Sequence, residues 1–230
     1  MLPVGTIHLF VCLCGRADEA LLPRLTARLN ARERDRAARF AFTRDRWTYV
    51  AAHALLRHAL DQLAGPRPWE FEVDHFGKPR LQPPCSDLRF SLSHTEGLVA
   101  VALSRGQEVG VDVEPADRQL DDLTFSDLVL AGSERAELDR APDRSGRLLH
   151  LWVVKEAIAK ALGRGLSLPF DQIVVAGDPP VLRALPPGFG DAGLWWLHSG
   201  IEGAHWLAMA AERVPPRLER IDVALATLLE

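Results

Sequence analysis

Two short stretches bring acids and an ammonium together in patterns that could do chemistry. In Gly110-Val111-Asp112-Val113-Glu114-Pro115, the two acids are two residues apart. On a strand they would share one face, opposite the apolar Val109, Val111 and Val113. Adjacent carboxylates repel unless a cation neutralises them. Oxygen-only ligands select a hard ion such as Mg2+, which keeps water and phosphate oxygens in its shell. A solvated strand end is the plain alternative. The second stretch, Trp152 to Leu166, reads as a helix stopped by Gly163 and Gly165. Trp152, Glu156 and Lys160 form one row on it, at i, i+4 and i+8. Glu156 could join the acid pair as a third ligand; taken alone, Glu156 and Lys160 read as a surface ion pair.

Lysine usage adds weight. The chain has 27 Lys+Arg, yet its only lysines are Lys78, Lys155 and Lys160. A compact ammonium suits a phosphate oxygen at close range, where arginine would present a planar fork. Ser91, Ser93 and His94 end another apparent strand beside a turn whose backbone N–H groups suit an anion better than a metal. Lys78, between Gly77 and Pro79, reads as a lysine on a rigid, exposed turn.

The elements that must position these residues are those of an ordinary globular chain: 230 residues, 47% hydrophobic and 25% charged. A net charge of −4 and a pI near 6.1 argue against a general nucleic-acid binder. Arginines crowd the segment from Arg24 to Arg46, either as a solvated helix face or as a patch for an anion or acidic partner. Cys12, Cys14 and Cys85 make neither a disulfide framework nor a zinc pattern, and Cys12 and Cys14 read as core. Cysteine usage and the lack of an export signature point to the cytoplasm. The apolar run Val4 to Cys14 is too short to span a bilayer.

Along the chain we expect strands at Ile7–Leu13, Glu70–His75, Leu88–Ser93, Leu98–Ser104 and Val109–Val113, and later at Asp171–Val175, Leu194–His198 and His205–Ala211. Helices are expected at Glu19–Leu29, around Ala31–Phe42, from Arg44 to Leu63 with Thr43 as cap, over Leu120–Ala141 with a break where Ser133 opens a capping box, and in the tail at Ile221–Leu229. The 49–60 and 152–162 segments echo each other, as do 90–103 and 195–210. This suggests two similar halves joined near residue 107, with a site in the cleft between them.

The ordered set Phe-Gly-Lys-Pro with Phe-Ser-Leu-Ser-His-Thr, then Gly-Val-Asp-Val-Glu, then Trp-Val-Val-Lys-Glu-Ala-Ile-Ala-Lys-Ala-Leu-Gly-Arg-Gly-Leu-Ser-Leu resembles the 4′-phosphopantetheinyl transferases of the long, single-chain (Sfp-like) type, which activate polyketide and non-ribosomal peptide synthetases. The resemblance runs from about residue 30 to residue 210. It implies an α+β fold of two pseudo-symmetric subdomains, each a small, mostly antiparallel sheet packed by a long helix. Residues 1–107 would contact the adenosine and 3′-phosphate of coenzyme A, residues 108–214 would hold the metal and catalytic helix, and 215–230 would form a tail. It also implies coenzyme A as co-substrate, Mg2+ as cofactor and a serine of an apo acyl or peptidyl carrier protein as acceptor. Asp112, Glu114 and Glu156 would then hold the metal. Lys160, and with it Lys155, would contact the diphosphate, with Glu156 as base. Lys78, Pro79, Ser93 and His94 would meet the adenosine and its 3′-phosphate, helped by an arginine such as Arg46. A monomer without nucleic-acid or membrane partners is expected.

Two other readings stay open at this point. One is a non-catalytic module that docks acidic helical carriers through the arginine-rich segment. The other is a different metal-dependent enzyme acting on a nucleotide pyrophosphate.

Overall fold

The computed structural model describes residues 5–120, 123–215 and 217–230. Val4, Asp121, Asp122 and Pro216, which fall within expected elements, lie outside the described residues. The chain opens with strand β1 (Thr6–Gly15), whose residues alternate between two cores. Two short helices follow, α1 (Leu22–Ala27) and α2 (Ala31–Ala37), then the long α3 (Thr43–Ala64). Asn30 and Glu33 close a reciprocal capping box on α2. Phe42 is the N-cap of α3 and Thr43 its first residue, so Thr43 is not the cap. A hairpin of β2 (Phe71–Val73) and β3 (Pro79–Leu81) leads into β4 (Leu88–Thr95), β5 (Gly97–Arg105) and β6 (Val109–Pro115).

Helices α4 (Leu123–Val129) and α5 (Gly132–Leu138) lead to α6 (Arg144–Leu162). The cap of α5 is not at Ser133: Ala131 is the N-cap, and its N–H donates to the buried Glu134 carboxylate. Asp143 caps α6, and Gly163 ends it in the left-handed region at φ 69°. A second hairpin pairs β7 (Val174–Ala176) with β8 (Val181–Ala184), where one strand from residue 171 was expected. β9 (Trp196–Glu202) and β10 (His205–Ala211) follow. The tail is not a peripheral helix. β11 (Arg217–Asp222) returns to pair in parallel with β1, and only Leu225–Leu229 forms a 3-10 turn. Residues Leu218 and Ile221 pack against apolar clusters, a strand's use of apolar residues rather than a helix's.

Two main sheets result, ordered β11-β1-β5-β4 and β6-β10-β9, antiparallel except at the β1–β11 edge. They face each other through Ile7, Leu9, Val11, Val109, Val111, Val113 and Met209. The far face of the first sheet buries Phe10, Cys12 and Val99 against α3, with Trp47, Val50 and Leu55. The far face of the second buries Ala208 and Ala210 against α6, with Val154, Ala157 and Ile158. The order of layers is therefore α3, sheet, sheet, α6. Covering both faces explains the nearly continuous apolar run of β5.

At one edge β4 lies beside β6 without a ladder of backbone bonds among the described residues. Two serine hydroxyls take the place of carbonyls: Ser91 Oγ accepts from the Val111 N–H at 3.1 Å, and Ser93 Oγ from the Val113 N–H at 3.2 Å.

Helix α6 approaches β6 most closely at Gly110. A Cβ there would stand 1.9 Å from the Ala157 carbonyl oxygen and 2.6 Å from the Ala161 nitrogen. Neither backbone atom can move without shifting the helix. Gly110→Ala should therefore cost about 3 kcal/mol of stability, read as a lower midpoint of thermal or urea unfolding. Gly132→Ala, with open space at the Cβ, should change it little.

Candidate functional site

A cleft of about 1410 Å3 runs along the β4–β6 joint. One wall is α2 and α3; the other is the end of β4, Asp112 to Glu114 of β6, and the last turns of α6. The turn from Phe76 to Pro79 closes one end.

The acids and the ammonium meet at the joint. Asp112 is buried, because it leaves β6 on the face covered by α6. Its Oδ1 accepts from Ser93 Oγ at 2.8 Å and from Lys160 Nζ at 2.7 Å. The same ammonium donates to Ser93 Oγ at 2.7 Å. With the Val113 N–H also bound, the Ser93 hydroxyl donates once and accepts twice, its full capacity. Lys160 thus pairs with Asp112 across the layers, not with Glu156 along its own helix.

Two carboxylate oxygens beside this junction have no partner although buried, Asp112 Oδ2 and Glu156 Oε1. Burial, then the Asp112 and Glu114 charges, push the Glu156 carboxyl up to about 7, with Lys160 opposing. Glu156 itself is not among the residues that line the cleft. Glu114 turns its carboxylate to the Arg118 guanidinium. Among the described residues no three His, Cys, Asp or Glu side chains are gathered closely enough to hold a metal ion as they stand. The donor set still fits a hard cation in part: Asp112 and Glu156 each offer a buried carboxyl oxygen without a partner, and Glu114 would have to leave Arg118 to complete it.

The other expected residues divide. His94 lines the cleft, and burial, followed by the Lys160 and His53 charges, pulls it down to about 4, so its imidazole is neutral near pH 7. Pro79 lines the cleft beside Lys78. Lys78 is not exposed. Its ammonium donates to Glu108 Oε2 at 2.8 Å and to the Ala161 carbonyl at 2.9 Å, and its stem covers Gly163. Lys78 braces the end of α6 against the β2–β3 hairpin. Ser93 is committed inside the joint and does not stand free for a phosphate. Arg46 does not line the cleft, and its Nε is buried without a partner.

Lys155 requires the clearest correction. It is fully enclosed, and its ammonium donates to Glu134 Oε2 at 2.6 Å, the Val129 carbonyl at 2.7 Å and the Phe170 carbonyl at 3.0 Å. One residue before Glu156 on a helix, it points about a quarter-turn away, into the core beneath α4 and α5. It cannot touch a diphosphate in the cleft.

The cleft's guanidinium groups come instead from Arg32, Arg36 and Arg39. Arg32 and Arg36, at i and i+4, share one face of α2, and Arg39 follows in the turn after the helix. α2 is anchored to α3 by Glu33, whose Oε2 accepts from Arg57 Nε at 3.0 Å and Nη2 at 2.7 Å. Arg164, just past the end of α6, lies 3.8 Å from the Phe76 ring centre and ties that helix end to the closing turn.

Comparison with known proteins sets this site in context. The family model of the 4′-phosphopantetheinyl transferase superfamily matches residues 108–191, which hold β6 and α6. A 4′-phosphopantetheinyl transferase of Bacillus subtilis is 29% identical over 172 residues, 72% of this chain and 75% of that protein. HetI, a 4′-phosphopantetheinyl transferase of Nostoc sp., is 29% identical over 167 residues, 70% of each chain. Among solved structures, the holo-[acyl-carrier-protein] synthase of Thermotoga maritima overlaps 45% of this chain and 61% of its own with a TM-score of 0.38 and 24% identity.

Removing one partner of the Lys155–Glu134 pair strands a buried charge. Lys155→Met should destabilise the fold by about 3–5 kcal/mol in urea unfolding. The fraction that remains folded should bind cleft ligands as wild type does, in calorimetry scaled to folded protein.

Proposed function

We propose that this chain, which matches the 4′-phosphopantetheinyl transferase superfamily over residues 108–191 and is 29% identical to two such transferases, moves the 4′-phosphopantetheine group of coenzyme A onto a serine hydroxyl of an apo acyl or peptidyl carrier protein, with Mg2+, releasing 3′,5′-ADP. The observation that carries this reading is the pair of buried, unpartnered oxygens of Asp112 and Glu156 beside the Lys160 ammonium. Asp112 and Lys160 line a cleft large enough for a coenzyme and fringed by three arginines. A non-catalytic docking module has no use for a junction so charged and so enclosed.

Asp112 and Glu156, joined by Glu114 once it leaves Arg118, would hold the divalent ion. Bound there, it would supply charge neutralisation to the diphosphate oxygens. The chain's own groups do the rest. The carrier serine attacks the phosphorus that bears the pantetheine arm, a new P–O bond forms, and the P–O bond to 3′,5′-ADP breaks. Glu156 takes the serine proton. The Lys160 ammonium meets the charge that grows on the departing ADP. The neutral imidazole of His94, the turn carrying Lys78 and Pro79, and Arg32, Arg36 and Arg39 take the adenosine and 3′-phosphate. We further propose that the two helix-backed sheets are pseudo-symmetric halves, divided near residue 107, with the cleft between them.

Incubating the protein with coenzyme A, Mg2+ and a panel of apo carriers should add one phosphopantetheine mass to at least one carrier, read by intact mass spectrometry. Glu156→Gln should lower kcat about 10²–10⁴-fold with the fold intact; unchanged turnover would remove Glu156 as base. Without metal, Glu156 gains a proton on folding, since its folded pKa is raised. Its contribution to stability is full at low pH and is lost as pH rises through about 7. Glu156→Gln should therefore unfold at a higher temperature than wild type at pH 8 and not at pH 4.

Arg36→Ala or Arg39→Ala should raise the KM for coenzyme A about tenfold and leave kcat near wild type. The same change at Arg46 should leave KM unmoved.

A further inference from the structure

We propose that Lys160 is the resident counter-ion of the acidic cleft: in the ligand-free enzyme its ammonium neutralises Asp112 from a post on Ser93, and an arriving divalent cation takes over that neutralisation and frees the ammonium for the donor's diphosphate. This rests on the reading that Asp112 and Glu156 receive the divalent ion.

The geometry supports a handover rather than a fixed strut. Lys160 Nζ is 2.7 Å from both Asp112 Oδ1 and Ser93 Oγ, so it occupies one oxygen of the carboxylate and leaves Oδ2 open. The Lys160 side chain is 29% exposed, on a flexible stem at the edge of the cleft. Lys155, five residues earlier, is 0% exposed with three acceptors around it and has nowhere to go. Among the described residues the acids do not form a metal cage as they stand, and Glu114 is held by Arg118. A divalent ion on the open oxygen of Asp112 would lie within a few ångströms of the ammonium on the other, where repulsion is barely screened. The metal alone must therefore work against Lys160. Donor phosphate removes that conflict by accepting the ammonium, so metal and donor favour each other's binding by the same factor.

The probe is Mn2+ in calorimetry, with and without coenzyme A. Wild type should bind Mn2+ alone weakly and at least ~10-fold more tightly with coenzyme A present. Lys160→Met should bind Mn2+ alone ~10-fold more tightly than wild type and lose most of the gain from coenzyme A. Equal or weaker Mn2+ binding by Lys160→Met overturns the proposal. A second measurement uses the unaltered enzyme, which has only three lysines. Mn2+ alone should raise the rate at which an amine-acylating reagent labels Lys160, read by peptide mass spectrometry, and coenzyme A added afterwards should suppress it. A labelling rate indifferent to Mn2+ overturns the handover even if Lys160→Met does not fold. Absence of Mn2+ binding to wild type with coenzyme A present defeats the metal reading itself. Normal metal binding with no Lys160 response defeats only the counter-ion.

Discussion

The site depends on how closely helix α6 lies against strand β6. At Gly110 the Ala157 carbonyl fills the space a side chain would take. Ala157 and Ala161 form the contact row of the helix, and the residue immediately before each of them is Glu156 or Lys160. Asp112 is two residues along the strand from Gly110 and so on the same face. Once glycine and alanine fix the separation, Glu156 and Lys160 are carried to the level of Asp112 by helical geometry alone. A larger residue at Gly110 would separate the acids from the ammonium as it lifted the helix.

The second constraint is the edge between the two sheets. β4 and β6 meet through the hydroxyls of Ser91 and Ser93, which occupy the places of backbone acceptors. Because serine can also donate, the joint carries polarity into the cleft: the proton of Ser93 goes to Asp112, and its remaining lone pair receives Lys160. A backbone carbonyl could have accepted from Val113 but could not have oriented a carboxylate.

Much of this was legible in the residues, unevenly. The period-2 alternation of β1 and β6 and the glycine stop of α6 were readable because local pattern dictates them. The tail was misread as a helix because Ala224 to Leu229 favours one in isolation. A free edge on β1, which no local window reveals, decides for a strand. The spacing read Lys160 as the partner of Glu156 on its own helix, whereas the structure pairs it with Asp112 across the layers. Ser93 and Lys78 were assigned to a ligand because their own partners, Asp112 and Glu108, come from the far half of the site. Arg46 was chosen from a crowd, whereas the arginines that line the cleft are Arg32, Arg36 and Arg39.

Lys155 and Lys160 show why residue type alone does not assign a role. Both are lysines of one helix, and each is paired with a carboxylate. The Lys155–Glu134 pair is closed. Glu134 spends Oε2 on Lys155 and the Ala131 N–H and Oε1 on the Val175 N–H, so no acceptor faces solvent. Burial draws the Lys155 pKa down and Glu134 opposes that, which makes the pair costly to break and useless to a ligand. The Lys160–Asp112 pair is open. One oxygen of Asp112 is unspent, the ammonium reaches the cleft, and a second acid, Glu156, has a buried oxygen of its own without a partner. A fully satisfied buried pair fixes structure, whereas a pair with spare valence beside a cavity can exchange partners. That difference lies in the lone pairs left over, and it separates the helix's enclosed lysine from the one at the cleft.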